Sequence, residues 1–368
     1  MYSLLLALIY LAFVSLGLPD SLLGTAWPVM QNDLGAPMYF AGIISMIISA
    51  GTVASSLLSE RLTKKLGTPA VVIGSVFVTA FSLLGFSLTK SCALMCVIAV
   101  PYGLGAGAID AALNNYVALH YTSKHMSWLH CFWGVGAIIS PNIMSIALAR
   151  STWSAGYLAT FIIQLTIAII LLSTVKVWKI HKKQTAGETE ESGELLGIRG
   201  ALRIKGVSAL LVAFLGYCAA ETIAMLWAAS YLNIGCGLSE ELAAAFTSAF
   251  FVGISAGRFL TGFVADRLGD RRLIWIGTAV SLVGICIMLI PFGSAVPAVC
   301  GLLLTGLGFA PIYPAIIHAT PTSFGKENSQ AVIGIQMAFA YIGMTFAPTI
   351  FGVVADFTTI KLFPLARS

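Results

Sequence analysis

Eleven apolar runs, each long enough to cross a bilayer, constrain this chain more than any other feature in it. They lie near 3–30, 38–59, 69–89, 92–119, 127–149, 153–177, 206–232, 242–265, 272–291, 295–317 and 330–355. About 20 apolar residues span the hydrocarbon core as a helix, and lipid offers backbone amides no partner outside their own segment. The chain therefore reads as an all-α polytopic membrane protein. Composition agrees, with 58% of residues hydrophobic and 10% charged, against about a quarter charged in soluble domains. The 7 cysteines are scattered, only Cys92 and Cys96 being close, so neither a metal site nor a disulfide framework emerges. Met1 to Val14 carries no charge and no small-residue cleavage site follows, so helix one is expected to stay in the mature chain.

Charge placement sets the topology. With the N-terminus in the cytoplasm, 15 of the 20 Lys and Arg residues fall on inner loops, four fall outside, and Arg258 lies within a span. That asymmetry is the positive-inside pattern. It accounts for the net charge of +5 without any nucleic-acid partner. The expected setting is the plasma (inner) membrane, with the lipid bilayer as the main partner and the protein as a monomer.

Residues 178–205 are the only long polar stretch, and their charge and Gly/Ser/Thr content suit a cytoplasmic tether. They separate 1–177 from 206–368, and an internal repeat makes that division firm. Ser49-Ala50-Gly51 recurs as Ser255-Ala256-Gly257, and Glu60-Arg61-Leu62 recurs as Asp266-Arg267-Leu268, both 206 residues on. Gly103-Leu104-Gly105 recurs as Gly306-Leu307-Gly308 after 203 residues, Gly136 with Pro141 as Gly343 with Pro348 after 207, and Asp20 as Glu221 after 201. Nearly one offset held across so many helices implies two parallel copies related by an axis along the membrane normal. The same offset places a twelfth helix near 359–383, beyond Ser368, so helix twelve is expected to be missing and the second bundle to hold five helices and a truncated sixth.

Ionisable residues inside spans are costly, and each is a functional candidate by default. Five stand out: Asp20, Asp110, His130, Glu221 and Arg258. Asp110 shares a helix face with Gly103, Gly107 and Asn114, a carboxyl beside a carboxamide that can bind a hydroxylated ligand. Asp20 sits in a helix interrupted by Pro19, Gly24 and Pro28, and broken helices at membrane depth line cavities. Trp27, a few residues on, offers a flat face for a sugar ring or a cation, or a lipid-facing ring at the interface. Glu221 and Trp227 are the second-half counterparts of Asp20 and Trp27. His130 opens helix five, either as a packing residue or with a proton role. Gln336 joins the candidates for solute binding, and Arg258 needs an acidic or carbonyl partner that the sequence does not name.

The stretch from Gly257 through Gly262, Asp266, Arg267 and Gly269 to Arg271-Arg272 turns one apolar helix sharply into the next. It resembles the cytoplasmic loop signature that the major facilitator superfamily carries between helices two and three, here between eight and nine. The resemblance implies two six-helix bundles and a gating role for Asp266, Arg267, Arg271 and Arg272, with Glu60 and Arg61 in the first-half loop. The helix-one segment around Asp20, the run Gly107-Ala-Ile-Asp110-Ala-Ala-Leu-Asn114, the helix-five Leu129-His130-x-Phe-x-Gly134-x-Gly136 and the helix-seven Glu221 followed by Trp227 resemble the fucose permease branch of that superfamily. Aspartate stands at 110 where the fucose permease has glutamate. That likeness implies proton coupling through Asp20 and Asp110 and a sugar as solute.

Three functions remain open on sequence: proton-coupled symport of a sugar or similar small polar solute, proton antiport of drugs or metabolites, and a transport-inactive receptor or truncated product. The Ser140-Pro141 pair stands where the antiporter signature shows Gly-Pro, and no phosphate loop, nucleotide domain, cofactor motif or cytoplasmic His/Cys cluster suggests an enzyme.

Overall fold

The computed structural model describes residues 2–20, 22–36, 40–178, 196–238, 240–290 and 295–357. Every regular element among them is helical: α1 (Tyr2–Gly17), α2 (Leu22–Asp33), α3 (Phe40–Leu57), α4 (Ser59–Leu66), α5 (Thr68–Leu88), α6 (Cys92–His120), α7 (Ser123–Arg150), α8 (Trp153–Ser173), α9 (Gly197–Arg203), α10 (Val207–Ser230), α11 (Glu240–Leu268), α12 (Asp270–Met288), α13 (Val296–Phe309), α14 (Ile312–Phe324) and α15 (Ser329–Phe357). A π-turn, Tyr231–Gly235, closes α10. Together these make 11 candidate membrane spans, as the apolar runs require. Residues 179–195 of the linker and 358–368, where a twelfth helix was expected to begin, lie outside the described residues.

Two spans are broken. The first turns at Leu18–Asp20, where Pro19 interrupts the ladder, yet α2 continues through Gly24 and Pro28, so only one of the three expected breaks is made. The tenth breaks at Ala310–Pro311 between α13 and α14, a break the apolar pattern hides because both halves are equally greasy.

The chain packs as two compact units. The first comprises Met1–Tyr116, Phe132–Arg203 and Lys326–Ala338; the second comprises Val117–Cys131, Ile204–Gly325 and Phe339–Ser368. The start of α7 thus belongs to the second unit and the start of α15 to the first, which the sequence halves 1–177 and 206–368 do not convey.

Small residues set the packing within each unit. In the first, Gly51, Gly103 and Gly107 let α3 and α6 touch backbone to backbone, and Thr52 Oγ1 donates to the Gly103 carbonyl at 3.2 Å. In the second, Gly253 and Gly306 bring α11 against α13 in the same way, which is the physical content of the 203-residue offset. Gly284 and Gly301 face each other's carbonyls across α12 and α13. Without a hydrophobic driving force between helices in lipid, such close approach supplies the van der Waals contact that holds spans together. The two repeat loops also turn alike: Gly67 (φ 80°, ψ 149°) leads into α5 and Gly269 (φ 76°, ψ 157°) into α12, a conformation essentially confined to glycine.

Candidate functional site

Asp20 stands at the break between α1 and α2, exposed there, and its Oδ2 accepts a hydrogen bond from Trp133 Nε1 at 2.8 Å. The seam that positions this bond is made by glycines: Gly17 abuts the Trp133 carbonyl, and Gly136 abuts the backbone of Val14 and Gly17. Asp110, 4% exposed on α6, accepts from Asn114 Nδ2 at 2.7 Å, and the two acids of the first unit are close enough to repel each other. Asp20, Asp110 and Asn114 are therefore brought together, and Trp133 joins them. Trp133 stands inside the helix-five stretch singled out on sequence, but nothing there marked it as the donor to Asp20.

Trp27 takes neither of its expected places. It is buried in an apolar core with Leu22, Met30, Phe86, Tyr102 and Tyr157, and its ring face is covered. Gln336 is fully buried in the first unit, on α15. Trp227 leans on α15 in the second unit, where its Nε1 donates to the Pro348 carbonyl at 2.9 Å and its ring fills the space over Gly352. A helix-to-helix clamp is what that contact provides.

The second unit holds the partner that Arg258 requires. Arg258 Nη2 donates to Glu221 Oε1 at 3.0 Å, with the two side chains 6% and 5% exposed. Removal of two charges from water costs several kcal/mol per ion, and only such mutual pairing offsets it. Around the pair lie aromatic rings: His130 packs edge-on against Tyr313 at 4.8 Å, Phe214 lies 4.9 Å from Tyr313, and Tyr217 meets Phe309 at 5.4 Å. Tyr313 stands 203 positions after Asp110 and Gln336 stands 206 after His130. The repeat offset was the signal that could have found Tyr313.

At the loops, Asp266 and Glu60 each take a helix-start amide and neither pairs with an arginine. Asp266 accepts from Thr122 Oγ1 at 3.0 Å and from Lys124 N at 3.1 Å, capping the first turn of α7. Gly262 leaves room for the Trp128 indole, over which Lys124 Nζ lies at 4.5 Å. Glu60, the repeat counterpart of Asp266, instead accepts from Leu196 N at 2.9 Å and Gly197 N at 3.0 Å, taking the start of α9, and from Lys64 Nζ at 3.2 Å. Arg61, Arg267, Arg271 and Arg272 are exposed and make no side-chain ion pair among the described residues. Two further polar clasps sit nearby. Asn115 donates to Gln330 Oε1 and accepts from Ser329 Oγ, each at 2.7 Å, in the first unit. In the second, His318, 203 positions after Asn115, bridges Asp270 Oδ2 at 2.7 Å and the Tyr121 carbonyl at 2.9 Å.

The sequence profile of the Major Facilitator Superfamily matches residues 9–348. The chain is 26% identical over 364 residues to the uncharacterized transporter y4wD of Sinorhizobium fredii, covering 93% of this chain and 89% of that protein. It is 23% identical over 314 residues to the glucose/mannose transporter GlcP of Bacillus subtilis, covering 83% and 77%. The solved structure of the fucose:proton symporter FucP of E. coli matches the fold with a TM-score of 0.76 at 19% identity, over 100% of this chain and 96% of that one.

Proposed function

The chain belongs to the Major Facilitator Superfamily, and we propose that it carries a small polar solute, a sugar, by proton-coupled symport with alternating access. It is a non-enzymatic membrane transporter. The observation that carries the proposal is the pair of carboxyls inside the spans of the first unit, Asp20 and Asp110, each anchored through one oxygen by a neutral donor, Trp133 or Asn114. A carboxyl at membrane depth is costly to keep, and proton exchange is a role that accounts for it. The names of two similar proteins, a fucose:proton symporter and a glucose/mannose transporter, support sugar as the solute class.

The functional bodies in this reading are residues 1–177 and 206–368, tethered by 178–205, with the N-terminus in the cytoplasm of a plasma-membrane protein. The caps made by Asp266 and Glu60 hold the gating loops, while Glu221 and His130 serve the solute from the second unit. Proteoliposomes supply the test. Under an inward proton gradient the protein accumulates at least one of L-fucose, D-glucose and D-mannose, and Asp20→Asn or Asp110→Asn abolishes concentrative uptake while sparing downhill exchange. Concentrative uptake that survives either substitution removes that residue from the coupling role. Extrusion in place of accumulation moves the protein to the antiporter class, and no movement in either direction leaves the receptor.

A further inference from the structure

The Arg258–Glu221 pair is satisfied on one side only. Arg258 occupies Oε1 of the carboxylate, whereas Oε2 is equally shut away and receives no hydrogen bond. Tyr217, one turn before Glu221 on α10, lies close enough to interact with the carboxylate, but its donor is engaged elsewhere. Its hydroxyl has one proton, and that proton goes to the Phe309 carbonyl at 2.9 Å. The other charged or titratable groups around the pair are His130 and Cys131 from α7, Cys218 from α10 and Tyr313 from α14, besides Arg258 itself from α11. A carboxylate oxygen accepts only, and a buried acceptor without a donor is a standing cost.

We infer that Oε2 of Glu221 is the acceptor for a hydroxyl group of the solute, and that Arg258 is the positioning residue that fixes the carboxylate for that contact. The inference rests on the transport reading above and adds what the second unit demands: a neutral solute that donates a hydrogen bond. An anion would meet the bare oxygen of Glu221 and be repelled by it. A cation would meet Arg258. A polyol brings the missing O–H. Such a site rejects an analogue that lacks the hydroxyl far more strongly than it rejects a change in apolar size, because the acceptor is then left bare.

The experiment compares transport of L-fucose, D-glucose and D-mannose with that of their monodeoxy analogues and with D-glucuronate, in proteoliposomes of the full chain. For the accumulated sugar, removal of one particular hydroxyl is expected to lower kcat/KM by roughly 100-fold or more in wild type. In Glu221→Gln/Arg258→Gln, which removes both charges together and so avoids an orphaned ion, that penalty falls below about fivefold, while penalties at the other hydroxyls stay as they were. Arg258→Lys retains the discrimination and Arg258→Gln blunts it. A purely structural role for the pair would lower all rates alike and leave the ratios intact, which overturns the inference without touching the transport reading. Preference for D-glucuronate over D-glucose that vanishes in Arg258→Gln overturns it too, by making Arg258 the solute contact. Transport of none of the sugars fails both readings at once.

Discussion

Asp266→Ala isolates the cap on α7. Its carboxylate receives two hydrogen bonds, from the Thr122 hydroxyl and the Lys124 amide, at the first turn of a 28-residue helix. Loss of an N-cap acceptor costs about 0.5–2 kcal/mol, and loss of a negative charge at a helix start adds about 0.3–1 kcal/mol. A total of about 1–3 kcal/mol multiplies local opening roughly 5–150-fold. Thr122 is itself a capping residue type, and once released its oxygen can turn back to replace the lost acceptor. The substitution is therefore best made in a Thr122→Val background. Amide hydrogen exchange reads the effect directly: Lys124 is expected to exchange about tenfold faster, with the middle of α7 unchanged. Glu60→Ala is the companion, with the Leu196 and Gly197 amides as reporters. Exchange at Lys124 within twofold of the parent in a folded variant would refute the cap, and a uniform rise along α7 would show that the substitution loosens the whole helix.

The buried pair is expected to behave asymmetrically: Arg258→Met should destabilise by about 3–5 kcal/mol in detergent unfolding, whereas Glu221→Met/Arg258→Met should sit close to wild type. Gly136→Val places a side chain where the Val14 and Gly17 backbones lie and is expected to cost about 1–3 kcal/mol, read as a lower melting temperature. Trp133→Phe keeps the ring but removes the donor to Asp20. A hydrogen bond to a charged group contributes about 1.5–3 kcal/mol, so proton-driven uptake should fall roughly 10–100-fold. Unchanged uptake would separate Trp133 from coupling.

The spans, the duplication and the family were legible because lipid leaves only one way to satisfy a backbone, and because the repeated glycines Gly103 and Gly306 mark the same helix contact twice. Pairing across helices was not legible. Glu221 and Arg258 stand 37 positions apart on consecutive spans, and whether they meet depends on helix rotation, which an apolar run leaves unspecified. The buried face of Trp27 was hidden for the same reason. The loops misled in another way: an acid among arginines suggests ion pairs, but at a helix start the unsatisfied amides compete for it, and they take both Asp266 and Glu60.

The break in the tenth span reaches further than its own helix. In a continuous helix the Phe309 carbonyl would face the amide four residues on, at Tyr313; across this break it draws on Tyr217. Restoring a continuous spiral with Pro311→Ala and Pro314→Ala would let that carbonyl find a donor in its own strand of chain. Tyr217 would then have a proton to give, and Glu221 one turn above it would no longer need the solute's. Two imino acids away from the Arg258–Glu221 pair would thus govern how strongly that pair discriminates between solutes, if the inference above holds.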